Sequence, residues 1–305
     1  MMELWNNLPT PRLILGTVQL GMPYGIANDS GMPDRAAACA IVESALRNGI
    51  RHFDTAQAYG ASESALGEAL AQLGVSGEVS ITTKLSAALN PLDATQVRGS
   101  IEESLERLKV GRLWCLMLHD PAWLVSWEAG LRDVLREQQA LGRVNHLGVS
   151  LRTPEDAPAA LACRDIAIIQ APCNAWDRRM AERGHLAASR QLGKLCCVRS
   201  IYLQGLLTMP PDRVRARLPR AEGASARWWD LANEFGVSVK ELAMRYALAL
   251  GAPLVVGAES VTQLEETVAL ASLEPLPPDA LARIAEAMDP LVSEEILEPF
   301  RWERN

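Results

Sequence analysis

The hydrophobic residues of this chain fall into short continuous runs, separated by longer stretches with helical spacing. Such runs predict strands of a parallel sheet, because those strands are covered on both faces and lack polar alternation. Eight runs fit this description, at residues 13–18, 50–54, 79–84, 113–119, 144–150, 166–170, 195–200 and 254–257. The pattern therefore predicts a sheet of buried parallel strands.

The segments between the runs predict amphipathic helices. Ala38, Ile41 and Val42, for example, share one helical face, and Gly49 follows as a stop signal. Eight strand–helix units in 305 residues predict an α/β fold, the (β/α)8 TIM barrel, as one domain over residues 1–305. A doubly wound sheet is the alternative, but it usually carries a GxGxxG turn, which this sequence lacks.

Two segments are expected to depart from this repeating unit. A polar, arginine-rich stretch near 207–227 predicts a loop and helix insertion after the seventh strand. Residues near 291–305 are expected to form a C-terminal tail.

The composition argues against several classes of protein. An apolar content of 49% is too high for a disordered chain, and a net charge of −7 does not suggest a nucleic-acid or membrane partner. No run approaches the roughly 18 apolar residues of a membrane span. Six cysteines without a CxxC pair are typical of thiols in a reducing compartment. We expect a cytoplasmic protein, a monomer or small homo-oligomer.

Polar side chains end three consecutive predicted strands. Asp54 ends the second run, and Tyr59 follows it in the next loop. Lys84 ends the third run and His119 ends the fourth. Each alone could cap a loop or lie in solvent, but their shared position at one rim of a barrel predicts a catalytic group.

These four residue types fit the reduction of a carbonyl. An ammonium beside a tyrosine hydroxyl favours the phenolate, so Lys84 would assist proton transfer by Tyr59. Asp54 would hold Lys84 charged, and His119 would position a carbonyl oxygen. The set contains no reductant, so a cofactor must supply the hydride.

These residues and their order resemble the aldo-keto reductase family, whose Asp–Tyr–Lys–His tetrad they match. The segment 53–60, FDTAQAYG, is similar to the family's DxAxxYG signature. Further stretches match in order at 16–18, 148–150, 170–174 and 257–266, so the likeness spans about residues 12–290. The resemblance implies an NAD(P)(H)-dependent oxidoreductase that interconverts an alcohol with an aldehyde, ketone or sugar carbonyl, with Tyr59 as general acid and base.

The resemblance also implies a cofactor site without a Rossmann domain. By position in the family, the residues that bind cofactor are Gly16, Thr17, Val18, Asp54, Ser150, Gln170, Arg199, Ser200, Leu203, Gly257, Ser260, Gln263 and Glu266. The family favours NADP(H) over NAD(H). Two departures bear on this choice: Arg199 replaces an aromatic residue that often stacks on nicotinamide, and Glu259 stands where a basic residue often meets the 2′-phosphate.

Substrate contacts are expected from aromatic residues in the loops, namely Tyr24, Trp123 and Tyr202. Only about twelve residues precede the first strand, so the N-terminal hairpin that closes the barrel floor in the family is not expected here. One alternative function is a weakly catalytic, nicotinamide-binding redox sensor or partner subunit. Another is a metal-dependent hydrolase using His52 and Asp54, but no HxH motif accompanies them, and His52 fits a core or floor position better.

Overall fold

A computed structural model of the chain describes residues 4–5 and 8–302. Its strands are β1 (Leu4–Trp5), β2 (Leu8–Pro9), β3 (Leu13–Gly16), β4 (His52–Asp54), β5 (Ser80–Leu85), β6 (Leu113–Leu118), β7 (Val144–Ser150), β8 (Ile166–Pro172), β9 (Leu195–Arg199) and β10 (Leu254–Gly257). Within the described residues, eight parallel strands close into a barrel in the order β10-β3-β4-β5-β6-β7-β8-β9. The predicted (β/α)8 barrel is confirmed.

Helices follow the barrel strands along the chain. The α-helices are α1 (Val18–Gly21), α2 (Arg35–Arg47), α3 (Ser62–Gln72), α4 (Ala94–Leu108), α5 (Leu131–Ala140), α6 (Ala157–Ala162), α7 (Arg179–Glu182), α8 (His185–Gln191), α9 (Pro211–Arg217), α10 (Glu222–Phe235), α11 (Val239–Ala249), α12 (Val261–Ala271), α13 (Pro278–Met288) and α14 (Glu294–Leu297). Short 3₁₀ helices lie at Pro121–Ala129, Pro154–Asp156, Leu203–Thr208, Pro219–Ala221 and Pro299–Arg301. The stretch 207–227 thus becomes a run of short helical segments after β9.

Each predicted run overlaps one barrel strand, although some ends differ. The first strand ends at Gly16 because Val18 already begins α1. The second begins only at His52, after the left-handed turn at Gly49. Apolar continuity therefore located the strands, while the local backbone conformation decided where each one stops.

Alternation along the strands separates the barrel interior from its outer layer. Inside, Ile14, Cys115, Ile168 and Cys197 pack as one apolar cluster. Outward residues such as Phe53 pack instead in the larger cluster under the helices. Because side chains alternate along a strand, the residue two positions after an interior residue also faces inward. Such residues at the carboxyl ends of the strands line that end of the barrel.

The barrel floor is closed by the antiparallel hairpin of β1 and β2, which corrects the expectation that none would form. The side chain of Trp5 is 8% exposed and joins the interior cluster. Its indole N–H donates to the carbonyl of Gly193 at 2.9 Å, and its ring meets that of His146 at a centroid distance of 5.0 Å. The expectation was wrong because this ladder has only two residues in each strand.

His52 lies in the floor, the position that the sequence favoured. Its ring packs edge-on against Trp114 at a centroid distance of 5.0 Å, and burial lowers the pKa of His52 to about 4. The imidazole is therefore neutral at pH 7 and part of the packing. Along the described chain, no helix is both long and apolar enough to cross a membrane.

We predict that Trp5→Ala will lower the free energy of unfolding by about 3–5 kcal/mol, the usual cost of removing a large buried aromatic ring. Urea denaturation followed by fluorescence and circular dichroism measures the change. The matched control is Phe300→Ala, because Phe300 is 61% exposed and its loss should cost less than about 0.5 kcal/mol. Equal effects of both variants would contradict the role of Trp5 in the floor.

Candidate active site

The structure brings Asp54, Tyr59, Lys84 and His119 together at the carboxyl ends of β4, β5 and β6. Lys84 is fully buried, and its Nζ donates to both carboxylate oxygens of Asp54 at 2.8 and 2.7 Å. The Nζ also donates to the carbonyl of Thr55 at 2.8 Å and lies 5.0 Å from the centroid of the Tyr59 ring. The ring of His119 meets that of Tyr59 edge-on, 5.6 Å between centroids. An ammonium group that donates three hydrogen bonds therefore lies next to the Tyr59 ring.

Lys84 carries a positive charge despite its burial. Desolvation alone would lower the pKa of Lys84, but attraction to Asp54 and the hydrogen bonds between them leave that pKa raised. Because an unpaired buried charge is very costly, each member of the pair requires the other.

His119 is uncharged at neutral pH. Burial lowers the pKa of His119 to about 3, with further contributions from Lys84, Arg199 and Arg152. A neutral imidazole has one N–H donor and one acceptor nitrogen. His119 can therefore hydrogen-bond a carbonyl or hydroxyl oxygen, but it does not serve as a cationic acid there.

A network of buried hydroxyl groups fixes the loop that carries Tyr59. Thr17 Oγ1 donates to the carbonyl of Asp54 at 3.0 Å and lies 2.8 Å from Ser62 Oγ. Ser62 Oγ in turn donates to the carbonyl of Thr17 at 2.7 Å. A Cβ at Gly21 would lie 2.0 Å from the carbonyl oxygen of Tyr59, so only glycine permits this approach. The Thr17 side chain thus positions the loop.

A cavity of about 710 Å³ opens at this end of the barrel. Of the residues predicted to form the site, those that line it are Gly16, Thr17, Val18, Tyr24, Asp54, Tyr59, His119, Ser150, Gln170, Arg199, Ser200, Tyr202, Gly257 and Gln263. Lys84 lies beneath them, covered completely. The residues predicted from the sequence therefore come from seven strands or their loops, and they line one cavity.

Besides Lys84, four predicted residues lie outside the cavity lining. Trp123 is buried in the core under the helices and Leu203 in a second apolar cluster, so neither side chain lines the cavity. The hydroxyl of Ser260 caps α12 by accepting from the N–H of Gln263 at 3.2 Å. Glu266 is exposed and pairs with Lys240, which itself lines the cavity. Three of these residues were predicted from family position and Trp123 as an aromatic residue in a loop, and neither criterion indicates which atoms a side chain contacts.

Several cationic cavity residues escaped the sequence reasoning. Arg152 lies two residues after the end of β7. Arg213 lies in the arginine-rich stretch that was predicted to be an insertion. Lys240 belongs to the SVKE capping sequence at the start of α11. Arg152 could have been predicted by considering the residues that follow each strand. Arg213 and Lys240 reach the cavity only through tertiary packing.

The residues around Gln170 fit the carboxamide of a nicotinamide. Gln170 Nε2 donates to Asp54 Oδ1 at 2.8 Å, while its Oε1 is buried and finds no hydrogen-bond partner in the described part of the chain. A buried acceptor without a donor is costly, and an amide N–H of a ligand would satisfy it. Ser150 pairs with Gln170 in the strand register and lines the same wall.

Another part of the cavity wall is the loop after β10. Glu259 lines the cavity and accepts a hydrogen bond from the hydroxyl of Ser30 at 3.1 Å. The N–H of Glu259 donates to Gln263 Oε1 at 2.9 Å, which ties the loop to the start of α12. This part of the wall therefore offers a helix N-terminus for a phosphate together with one carboxylate.

A family model described as the aldo/keto reductase family matches residues 12–289. The chain is 30% identical over 185 residues to the aldo-keto reductase YhdN of Bacillus subtilis, covering 58% of this chain and 54% of that protein. It is 28% identical to L-galactose dehydrogenase of Arabidopsis thaliana, covering 90% of each. The structure of a glycerol dehydrogenase from Gluconobacter oxydans superposes with a TM-score of 0.73, at 24% identity and 94% coverage of each chain.

We predict that Lys84→Met will destabilise the protein by about 3–5 kcal/mol, because it leaves the Asp54 carboxylate buried without a counter-charge. A double variant, Lys84→Met with Asp54→Asn, should recover part of this loss. Urea denaturation measures both. Lys109→Met, which removes an exposed lysine, is the control. A Lys84→Met cost no larger than that of the control would show that the pair is not required.

Proposed function

Because the chain belongs to the aldo/keto reductase family, we propose that it is an NAD(P)(H)-dependent oxidoreductase that interconverts an alcohol with an aldehyde, ketone or sugar carbonyl. The observation that carries the proposal is the buried Lys84–Asp54 pair next to Tyr59, beside a neutral His119. Relatives named as dehydrogenases of sugars, such as that of L-galactose, support the reaction class.

Tyr59 acts as the general acid in reduction and as the general base in oxidation. In reduction, its hydroxyl proton moves to the substrate oxygen while the carbonyl carbon accepts the hydride, so the carbonyl becomes an alcohol. The Lys84 ammonium stabilises the negative charge that develops on the phenolic oxygen. His119 donates a hydrogen bond to the carbonyl oxygen and thereby orients the carbonyl toward Tyr59.

When bound, the reduced nicotinamide supplies the hydride. Gln170 Oε1 and the hydroxyl of Ser150 would hold its carboxamide, which would fix the ring beside Asp54 and Tyr59. The start of α12 and the loop at Gly257 would hold the adenosine end. We propose NADP(H) rather than NAD(H), the preference that the family resemblance implies. Arg213 and Lys240 line the cavity, and a 2′-phosphate would compete with Asp29 and Glu266 for them.

We further propose that the protein acts in the cytoplasm on small carbonyl or sugar substrates, as a monomer or small homo-oligomer without nucleic-acid or membrane partners. All six cysteines are free thiols, which suits a reducing compartment. Tyr24 and Tyr202 line the cavity and are the proposed substrate contacts.

We predict that Tyr59→Phe will lower kcat for an aldehyde panel by about 10²- to 10⁴-fold, because the variant keeps the ring and loses the transferable proton. The affinity for cofactor should change by less than about threefold, since the ring remains in place. Steady-state oxidation of NADPH and NADH measures the rate, and fluorescence titration measures binding. Full retained turnover would contradict the mechanism. Tight cofactor binding without turnover in the wild-type protein would favour the redox-sensor alternative.

We predict that the wild-type protein binds NADPH more tightly than NADH, and that Gln170→Leu weakens both by the same factor of about 5- to 30-fold. The common factor arises because the two cofactors share the nicotinamide end, where a buried hydrogen bond would be lost. Gln191→Leu, an exposed position, is the control. Equal affinities in the wild-type protein would contradict the NADP(H) preference and point to repulsion by Glu259.

A further inference from the structure

Arg199 ends β9 on the inward side of the barrel. It lies two residues beyond Cys197, which belongs to the interior cluster, and it pairs with Pro172 in the strand register. The alternation of side chains therefore directs Arg199 toward the carboxyl end of the barrel, where it lines the cavity. Gln170 lies two residues before Pro172 on the neighbouring strand. The Arg199 guanidinium and Gln170 therefore lie at the same rim of the barrel.

The charge of Arg199 has no carboxylate partner among the described residues. Its Nη1 donates to the hydroxyl of Ser200 at 3.0 Å, and its Nη2 donates to the carbonyl of Leu151 at 2.8 Å. The other cations of the cavity are paired: Arg152 with Asp120, Arg213 with Asp29, and Lys240 with Glu266. Arg199 is thus held by neutral groups, with its positive charge uncompensated.

This uncompensated charge acts at the reaction centre. Arg199 contributes to the lowered pKa of His119, and it opposes the raised pKa of Lys84. Its electrostatic field therefore reaches the two groups that flank Tyr59. A second charge at this location favours an anionic ligand close to the reacting carbonyl.

The backbone after Arg199 holds the guanidinium in place. Ser200, Leu203 and Gln204 have φ values of +61°, +47° and +56°, a conformation that non-glycine residues adopt at a cost. The carbonyl of Ser200 accepts from Asn174 Nδ2 at 3.1 Å, which anchors the turn. Strain of this kind clusters at ligand sites, because the surrounding structure keeps a side chain in a required direction.

We propose that Arg199 binds a carboxylate of the substrate, so that the preferred substrates are aldehydes or ketones bearing a carboxylate near the carbonyl group. The inference rests on the proposed oxidoreductase function and narrows its substrate class. A guanidinium suits this role because it donates two parallel hydrogen bonds to a carboxylate. The cofactor diphosphate is the other anion that Arg199 could meet, because β9 pairs with β10, whose loop leads to the proposed phosphate site. The coupling of Arg199 to both His119 and Lys84 favours the substrate, and the cofactor is an outcome of the test.

The test compares the ortho, meta and para isomers of carboxybenzaldehyde with their methyl esters, which have similar shape and no charge. For at least one isomer, the wild-type kcat/KM should exceed that of the ester by about 10- to 100-fold, the range expected for a charge-assisted hydrogen bond. Arg199→Met should reduce this ratio to about one, and Arg199→Lys should keep part of it. Benzoate and benzamide binding, measured by calorimetry, should show the same preference without turnover.

Arg98→Met is the matched control, because Arg98 is a surface guanidinium paired with Glu137 and its loss removes the same charge. It should leave the ratio unchanged. Equal kcat/KM for acids and esters, or an unchanged ratio in Arg199→Met, overturns the carboxylate site while leaving the proposed function intact. An equal loss for acid and ester with weaker NADPH binding assigns Arg199 to the cofactor instead. Absence of turnover for every compound contradicts the proposed function, and benzoate binding then still decides on the carboxylate site.

Discussion

The buried ion pair of Lys84 and Asp54 is the interaction on which the candidate active site depends. An ammonium without exposure to water is tolerated only because its donors meet two carboxylate oxygens and the carbonyl of Thr55. Asp54 also accepts from Gln170, so the same carboxylate ties the proton-transfer residues to the wall proposed for nicotinamide. Tyr59 and Gln170 are thus aligned by one pair of charges.

The same alternation of side chains builds both the stable and the reactive ends of the barrel. Along β6 and the residue that follows it, Cys115 and Met117 fill the interior, and His119 is the next residue of that parity. Along β9, Cys197 is interior and Arg199 reaches the cavity. At the opposite end, the ring of Trp5 closes the floor. Strand periodicity therefore assigns packing to one end and chemistry to the other.

The outer walls of the cavity come from segments that are distant in sequence. Asp29, in the loop after α1, pairs with both Arg213 and Arg217 of α9. Ser30 from the same loop donates to Glu259 after β10. These contacts join three loops around the cavity, which explains why a stretch that looks like a solvated insertion contributes Arg213 to the lining. Charge complementarity across loops carries no local sequence signal.

Sequence pattern was sufficient to predict the barrel and the placement of Asp54, Tyr59, Lys84 and His119 at one rim. Continuous apolar runs mark strands covered on both faces, and a polar residue at the end of such a run has to lie at the rim, as Asp54 and Lys84 do. Side-chain locations were harder to predict where the ground was family position, as for Leu203, or an aromatic residue in a loop, as for Trp123. Trp123 and Leu203 pack in the cores, because an apolar side chain in a loop follows the nearest apolar surface.

Tertiary structure decided what each polar group is paired with. The sequence does not distinguish Arg152, Arg199 and Arg213 by their partners. In the described chain, Arg152 and Arg213 each pair with a carboxylate, whereas Arg199 has only neutral acceptors. The floor hairpin likewise depends on a tertiary contact, because the Trp5 ring packs in an interior cluster formed by residues distant in sequence. Periodicity is a local property that a sequence displays directly. The pairing of charges depends on residues up to 188 positions apart, as for Asp29 and Arg217, and is fixed only when the barrel closes.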